Sequence, residues 1–212
     1  YAESGGQVGD TGELRNSRAR AMVEDTVKVQ AAVLGHSCRI VAGTLEGGDG
    51  DDALDGGEGD DTLRGGPGDD RYVAVDPGDA VIEAPGEGVD RVESASSHVL
   101  AAEVEQLLLT GTEAVDGTGN DLDNRLVGNV GDNRLDGGAG LDSTEGGPGD
   151  DIHVVDTSAD RVVERAGEGH DAVLASESFA LPDDVEDLVL TGSLAIDGHG
   201  NGLANTLTGN DA

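Results

Sequence analysis

Large side chains are nearly missing from this chain, which has no tryptophan, one phenylalanine (Phe179) and two tyrosines (Tyr1 and Tyr72) in 212 residues. An ordinary globular core of big aromatic residues is excluded, so the chain either stays disordered or buries a ladder of small repeated layers. Cysteine occurs once, as Cys38, which rules out an intramolecular disulfide and a cysteine-cluster zinc site and leaves it as a small buried apolar residue. Apolar runs are as short as Leu107, Leu108 and Leu109, far below the ~20 residues of a membrane-spanning helix. Cations are scarce as well: 12 Lys and Arg against 45 Asp and Glu give a formal net charge of −33. Such a chain repels nucleic acid, anionic membranes and itself, and its partner is expected to be cationic. It opens on Tyr1 without a charged and apolar leader pattern and is expected to be a fragment.

The acidity is confined to one part of the chain. Residues 1–43 hold five basic residues (Arg15, Arg18, Arg20, Lys28 and Arg39) and five acidic ones (Glu3, Asp10, Glu13, Glu24 and Asp25), whereas 7 basic and 40 acidic residues follow from Thr44 onward. Two segments of different origin are expected, 1–43 and 44–212.

What the second segment has in quantity is glycine, in a nine-residue pattern GGxGxDxUx in which U is large and apolar. Three copies run end to end: GGDGDDALD (47–55), GGEGDDTLR (56–64) and GGPGDDRYV (65–73). A second cluster reads GNVGDNRLD (128–136), GGAGLDSTE (137–145) and GGPGDDIHV (146–154). On a larger scale, residues 65–129 align with 146–210 at a spacing of 81 without a gap, with 33 identities in 65 positions, Asp79 and Asp160 among them. The intervening runs alternate in short β-type stretches, and no helical periodicity follows Thr44. The expected fold is all-β, a parallel β-roll or β-solenoid of glycine-rich nonapeptides stacked turn on turn.

The pattern suits calcium. Glycines at the first, second and fourth positions allow strained backbone angles that turn carbonyl oxygens inward, and the aspartate at the sixth adds a short hard ligand. One loop supplies only about half of the 6 to 8 oxygens that calcium takes, so two loops must share each ion. With two nonapeptides per coil, loops 18 residues apart stack, which predicts an ion between Asp52 and Asp70. The loop of Asp61 then stacks on a degenerate turn ending in Asp79, and the 146–151 loop on the weaker 128–133 loop. No EF-hand loop occurs, and magnesium, which dehydrates reluctantly, is disfavoured.

From Thr44 to the end, the chain resembles the RTX, or hemolysin-type calcium-binding repeat, family. The resemblance implies a calcium-binding β-roll of a secreted, extracellular protein, with type I secretion machinery as a partner through a C-terminal signal that these residues lack. The family's metal positions map onto Gly48, Gly50 and Asp52, then Gly57, Gly59 and Asp61, then Gly66, Gly68 and Asp70, with Asp79 keeping register. In the second cluster they map onto Gly138, Gly140 and Asp142, then Gly147, Gly149 and Asp151, with Asp160. Thr144 and His153 stand where a large apolar residue is usual, and Asn124, Asn133 and Asn205 replace aspartate; these turns are expected to bind weakly or not at all. The N-terminal stretch differs: AESGGQVGDTG (2–12), VEDTVKVQAAVLGH (23–36) and GTLEGGD (43–49) resemble alanyl-tRNA synthetase at the β-barrel opening its editing domain. That implies a small β-barrel fragment, with His36 a barrel residue, since no HxxxH editing motif follows.

No catalytic centre is legible. HExxH and GxSxG are absent, His98, His153, His170 and His199 are scattered singly, and the carboxylate pair Asp51 and Asp52 recurs as Asp60 and Asp61 and as Asp69 and Asp70, as ion binding requires and acid-base catalysis does not. A non-catalytic, calcium-folded module of a larger exported protein is expected, several Ca2+ ions being its cofactors. The alternative is a synthetase fragment joined to repeats.

Overall fold

The structure, a computed structural model, describes residues 12–15, 20–29, 33–42, 44–57, 59–74 and 78–212, and the side chains from Thr44 onward apart from Ala74. Most of the AESGGQVGDTG motif, and the side chains of His36 and Cys38, lie outside the described residues. All elements are strands, and the chain divides into two compact units, Tyr1–Arg91 and Val92–Ala212.

The first unit opens with an antiparallel meander, β1 (Gly12–Arg15), β2 (Arg20–Val29) and β3 (Val33–Ala42). Glycine-rich turns then allow only short strands: β4 (Thr44–Glu46), β5 (Ala53–Asp55), β6 (Thr62–Arg64), β7 (Arg71–Ala74) and β8 (Ala80–Val81). A three-residue strand cannot persist alone and is held by neighbours on both sides. Successive strands fall alternately into two parallel stacks, β5 with β7 and β4 with β6 and β8. Ala53 lies opposite Arg71 and Thr62 opposite Ala80, the 18-residue coil expected from two nonapeptides. β3 also pairs parallel with β5, Ser37 opposite Ala53, so the meander covers the first edge of that stack.

β9 (Arg91–Ser94) lies where the first unit ends. The second unit repeats the plan in β10 (His98–Val99), β11 (Gln106–Leu109), β12 (Gly117–Thr118), β13 (Arg125–Val127), β14 (Arg134–Asp136), β15 (Ser143–Glu145), β16 (Ile152–Val155) and β17 (Arg161–Val163). It continues through β18 (Ala172–Ala175), β19 (Phe179–Ala180), β20 (Asp187–Leu190), β21 (Gly198–His199) and β22 (Thr206–Thr208). One parallel stack runs β11-β13-β15-β17 and another β10-β12-β14-β16-β18-β20-β22, with β19 and β21 paired separately. The fold is a parallel β-solenoid, as the nonapeptides predict.

Its core is a pair of columns rather than a cluster of large residues. Period-two alternation sends the central residue of each xUx strand inward, and the register stacks Leu107, Leu126, Thr144 and Val162 in one column of the second unit. The other holds Leu135, His153, Val173 and Leu188. In the first unit Leu54, Leu63 and Tyr72 are buried in the same way. Leu126 is 0 % exposed whereas Leu141, outside the strands, is 58 % exposed. Replacing Leu126 by Ala is expected to cost about 2–5 kcal/mol in urea unfolding at saturating calcium, and Leu141→Ala less than about 0.5 kcal/mol. Equal costs would refute the column as the source of stability.

Candidate metal centre

Ten of the glycines singled out by the motif (Gly48, Gly50, Gly57, Gly59, Gly66, Gly68, Gly138, Gly140, Gly147 and Gly149) adopt positive φ. Stacking adds a second constraint. A methyl on Gly66, at φ 94°, would lie 2.6 Å from the Gly48 carbonyl oxygen of the turn below. Only glycine lets successive loops close to this distance.

The sixth-position aspartates form ladders between those loops. The Asp52 N–H donates to Asp70 Oδ1 at 2.7 Å and the Asp70 N–H to Asp90 Oδ1 at 2.8 Å. The Asp61 N–H donates to Asp79 Oδ1 at 3.1 Å. In the second unit Asn124 donates to Asp142 and Asp142 to Asp160, at 2.8 and 3.1 Å, and Asn133 to Asp151 and Asp151 to Asp171, at 2.7 and 2.9 Å. Each carboxylate thus spends one oxygen on the N–H of the preceding turn. The other oxygen, Oδ2, is buried without a hydrogen-bond partner in Asp70, Asp142, Asp151 and Asp171. These oxygens turn toward the loop glycines: Asp70 Oδ2 closes on Gly65, Asp142 Oδ2 on Gly137 and Asp151 Oδ2 on Gly146. At Gly47 a methyl would lie 2.6 Å from Asp52 Oδ2 and 2.8 Å from the Gly65 carbonyl oxygen. Buried carboxylate oxygen converging with backbone carbonyls is a hard, all-oxygen donor set that suits calcium.

The aspartates at the fifth position do something the sequence reading missed. Asp51 Oδ1 accepts the N–H of Asp69, Asp69 that of Val89, and Asp132 that of Asp150, at 2.9 to 3.0 Å and at the surface. They cap the turn that follows, while the sixth-position carboxylates cap the turn before.

Asparagine closes its turns with its own side-chain amide. Asn133 Nδ2 donates to the Val115 carbonyl at 2.6 Å and Asn124 Nδ2 to that of Val104 at 3.1 Å, while Asn129 Nδ2 reaches Thr110 and Glu113. In the last coil Asn201 Nδ2 reaches Val185 at 2.7 Å and Asn205 Nδ2 reaches it at 3.2 Å. An amide donor thus satisfies carbonyl oxygens of the turn before.

Residues outside the nonapeptides complete the picture. Carboxylate oxygens of Asp70, Glu83 and Asp90 lie within 4.8 Å of one another, and so do those of Asp151, Glu164 and Asp171. Glu83, Asp90, Glu164 and Asp171 were not among the expected ligands, although both pairs recur at the 81-residue spacing. His153, on β16, is fully buried, with Nδ1 2.7 Å from Thr144 Oγ1 and Nε2 2.8 Å from Glu164 Oε1. Two polar side chains in the apolar column therefore satisfy each other. In the first unit Tyr72, the counterpart of His153, instead accepts the Gly65 N–H through its hydroxyl at 2.7 Å.

Burial dominates the acidity of these groups. It pushes Asp70 and Asp171 up to about 6 and Asp151 and Glu83 up to about 7, against the N–H bonds that hold the aspartates down, and neighbouring carboxylates add to the rise. Asp142 is raised to about 6 in the same way, Asp160 being the first of the charges beside it.

Two stretches, residues 42–72 and 118–152, match the family described as the RTX calcium-binding nonapeptide repeat, in four copies. Both of the clusters read from the sequence lie largely within them. A 49-residue segment is 63% identical to an alanine-tRNA ligase of Methylibium petroleiphilum, and another alignment of 49 residues is 61% identical to that of Leptothrix cholodnii. For the ligase of Polynucleobacter asymbioticus the figure is 59% over 54 residues. These segments make up 23% to 26% of the chain but only 6% of each ligase.

The raised carboxyls set a pH dependence. Their values of about 6 to 7 in the folded chain exceed the ordinary 3.8 and 4.5 of Asp and Glu, so the folded state binds more protons than the unfolded one. That stability is fully present below about pH 4 and is lost as pH rises through 6 and 7. In chelator, circular dichroism should show more β-structure at about pH 5 than at about pH 8; the reverse order would contradict the burial of ionised carboxylates.

Proposed function

We propose that residues 44–212 bind several calcium ions between stacked loops and fold as they do so, serving as a non-catalytic module of an exported, extracellular protein. The observation that carries this reading is the row of buried Oδ2 atoms, of Asp70, Asp142 and Asp151, facing the glycine loops with no donor. Burying an ionised carboxylate without a partner costs several kcal/mol, and a divalent ion offsets that cost. The repeat matches support calcium binding by the roll.

In this reading the ligands are Asp52 with Asp70, Asp61 with Asp79, Asp142 with Asp160 and Asp151, together with carbonyls of the loops shaped by Gly48, Gly50, Gly57, Gly59, Gly66, Gly68, Gly138, Gly140, Gly147 and Gly149. Calcium supplies the positive charge that lets these carboxylates be buried while ionised. Affinities near 10⁻⁴ to 10⁻³ M, typical of extracellular calcium modules, leave the chain unfolded in cytosol and fold it outside, which suits passage through type I secretion machinery. No helix among the described residues is long and apolar enough to cross a membrane. The 7 basic against 40 acidic residues from Thr44 onward disfavour nucleic acid as a partner.

The ligase identity favours a second reading of residues 1–43 alone, as a β-stranded domain of separate origin, related to the synthetase editing region and fused to the repeats. Catalysis is not proposed for it, because HxxxH is absent. The chain should neither aminoacylate nor deacylate alanine tRNA, and turnover in a tRNA charging assay would overturn this.

For the roll itself, calcium at about millimolar concentration should raise β-structure in a circular dichroism titration, and magnesium should not. Asp52→Ala and Asp70→Ala should each move the midpoint about tenfold or more to higher calcium. Midpoints unmoved by both substitutions would reject shared aspartate sites.

A further inference from the structure

Beyond the loop pairs, each unit carries one carboxylate cluster built differently. Glu83 and Glu164 lie outside every nonapeptide, and Asp90 and Asp171 follow Asp70 and Asp151 by 20 residues instead of 18. The extra length forms a tight Gly-Glu-Gly turn in which Gly88 packs against the Gly68 carbonyl and Gly169 against that of Gly149, contacts that leave no room for a Cβ. The longer turn nonetheless returns Asp90 and Asp171 to the ladder, where they accept the N–H groups of Asp70 and Asp151 at 2.8 and 2.9 Å.

Proximity of acids alone does not make a site, since acidic side chains often crowd at surfaces. Here Asp151, Glu164 and Asp171 are 1 %, 8 % and 1 % exposed, and each retains a buried oxygen with no hydrogen-bond partner: Oδ2, Oε2 and Oδ2. Oε1 of Glu164 is fully engaged by the Gly146 N–H and His153 Nε2, each at 2.8 Å, which fixes the carboxylate plane. Asp151 Oδ2 and Glu164 Oε1 both close on Gly146, so the glutamate reaches into the loop itself. Three like charges with unpartnered oxygens, sealed from water, lack only a cation. The duplicated unit kept all three acids in both copies, although 32 of its 65 positions changed.

We infer that Asp70, Glu83 and Asp90 in the first unit, and Asp151, Glu164 and Asp171 in the second, each hold one calcium ion through three carboxylates, in sites that share Asp70 or Asp151 with the glycine-loop pairs and add two acids from outside the nonapeptides. The choice of calcium rests on the reading above; the site itself rests on this geometry. Three negative charges on hard oxygen donors bind a divalent ion more tightly than loops with one carboxylate each, because affinity in calcium sites rises with ligand charge. These sites fill first as calcium rises.

The test uses the full 212-residue chain. With Tyr1→Phe, Tyr72 is the single tyrosine, and its hydroxyl and Asp70 Oδ2 both close on Gly65. Tyrosine-excited terbium(III) luminescence therefore reads the first cluster, whereas the second, with His153 in the place of Tyr72, is silent. Terbium titration and calcium equilibrium dialysis are run on this background and on Glu83→Gln, Glu164→Gln and Asp52→Asn. Glu83→Gln should weaken the sensitised terbium site about tenfold or more and remove one ion from the tightest calcium class. Glu164→Gln should leave terbium emission unchanged and also remove one tight calcium ion. A purely structural glutamate gives a different result, since removing one of three crowded charges would stabilise the ion-free roll and leave metal binding unaltered; that outcome overturns the inference. If Asp52→Asn weakens calcium while both glutamine variants bind as the parent does, the loop pairs stand and the carboxylate clusters fall. If none of the three moves calcium or terbium, both readings fall together.

Discussion

Asp70 and Asp151, at the sixth position of their turns, each have two oxygens and one backbone N–H to receive, that of Asp52 for Asp70 and of Asn133 for Asp151. The leftover oxygen is carried into a dry seam by stacking that also buries the leucine columns. Hydrophobic burial and carboxylate burial are therefore one event, and the first cannot be had without the second. The small core, in which Tyr72 is fully buried, gains about 1.5–3 kcal/mol per inward leucine. Leaving each aspartate charged and unpaired costs a comparable amount or more. The balance between those terms makes the roll depend on something outside the chain, whether protons or a cation.

Much of this was legible in the sequence, because a nine-residue period fixes both the strand length and the 18-residue coil. The pairing of Asp52 with Asp70 and of Asp61 with Asp79 follows from counting. Glu83 and Asp90 were not legible in that way, since the two-residue extension before Asp90 breaks the period on which the counting relies. Repetition of both residues 81 positions later was the signal, and it becomes meaningful only when the turn is seen to return to the ladder. The first aspartate of each pair, as Asp51 and Asp69 show, holds an N–H group of the next turn at the surface, a role that the repeat pattern does not spell out. His153 and Thr144 looked like defects in an apolar column, yet each supplies the other with a partner and the histidine anchors Glu164.

The N-terminal meander contributes an edge. Because β3 runs parallel to β5, strands outside the nonapeptides can end a solenoid stack without matching its repeat. Backbone pairing asks only for a free row of N–H and C=O groups. Compatibility of this kind explains how a short stretch with ligase-like sequence can be continuous with a nonapeptide roll.

Asn133 donates to the Val115 carbonyl, whereas Asp151, one coil further on, leaves its second oxygen bare. In the genetic code the codons for these two residues differ by a single nucleotide. Point mutation at the sixth position therefore converts an amide-sealed turn into an ion-requiring one, or the reverse, without altering chain length, register or core. The number of ions that such a roll demands is thus an inherited quantity that can drift one turn at a time, and a lineage can match it to the calcium of its surroundings while the fold stays the same.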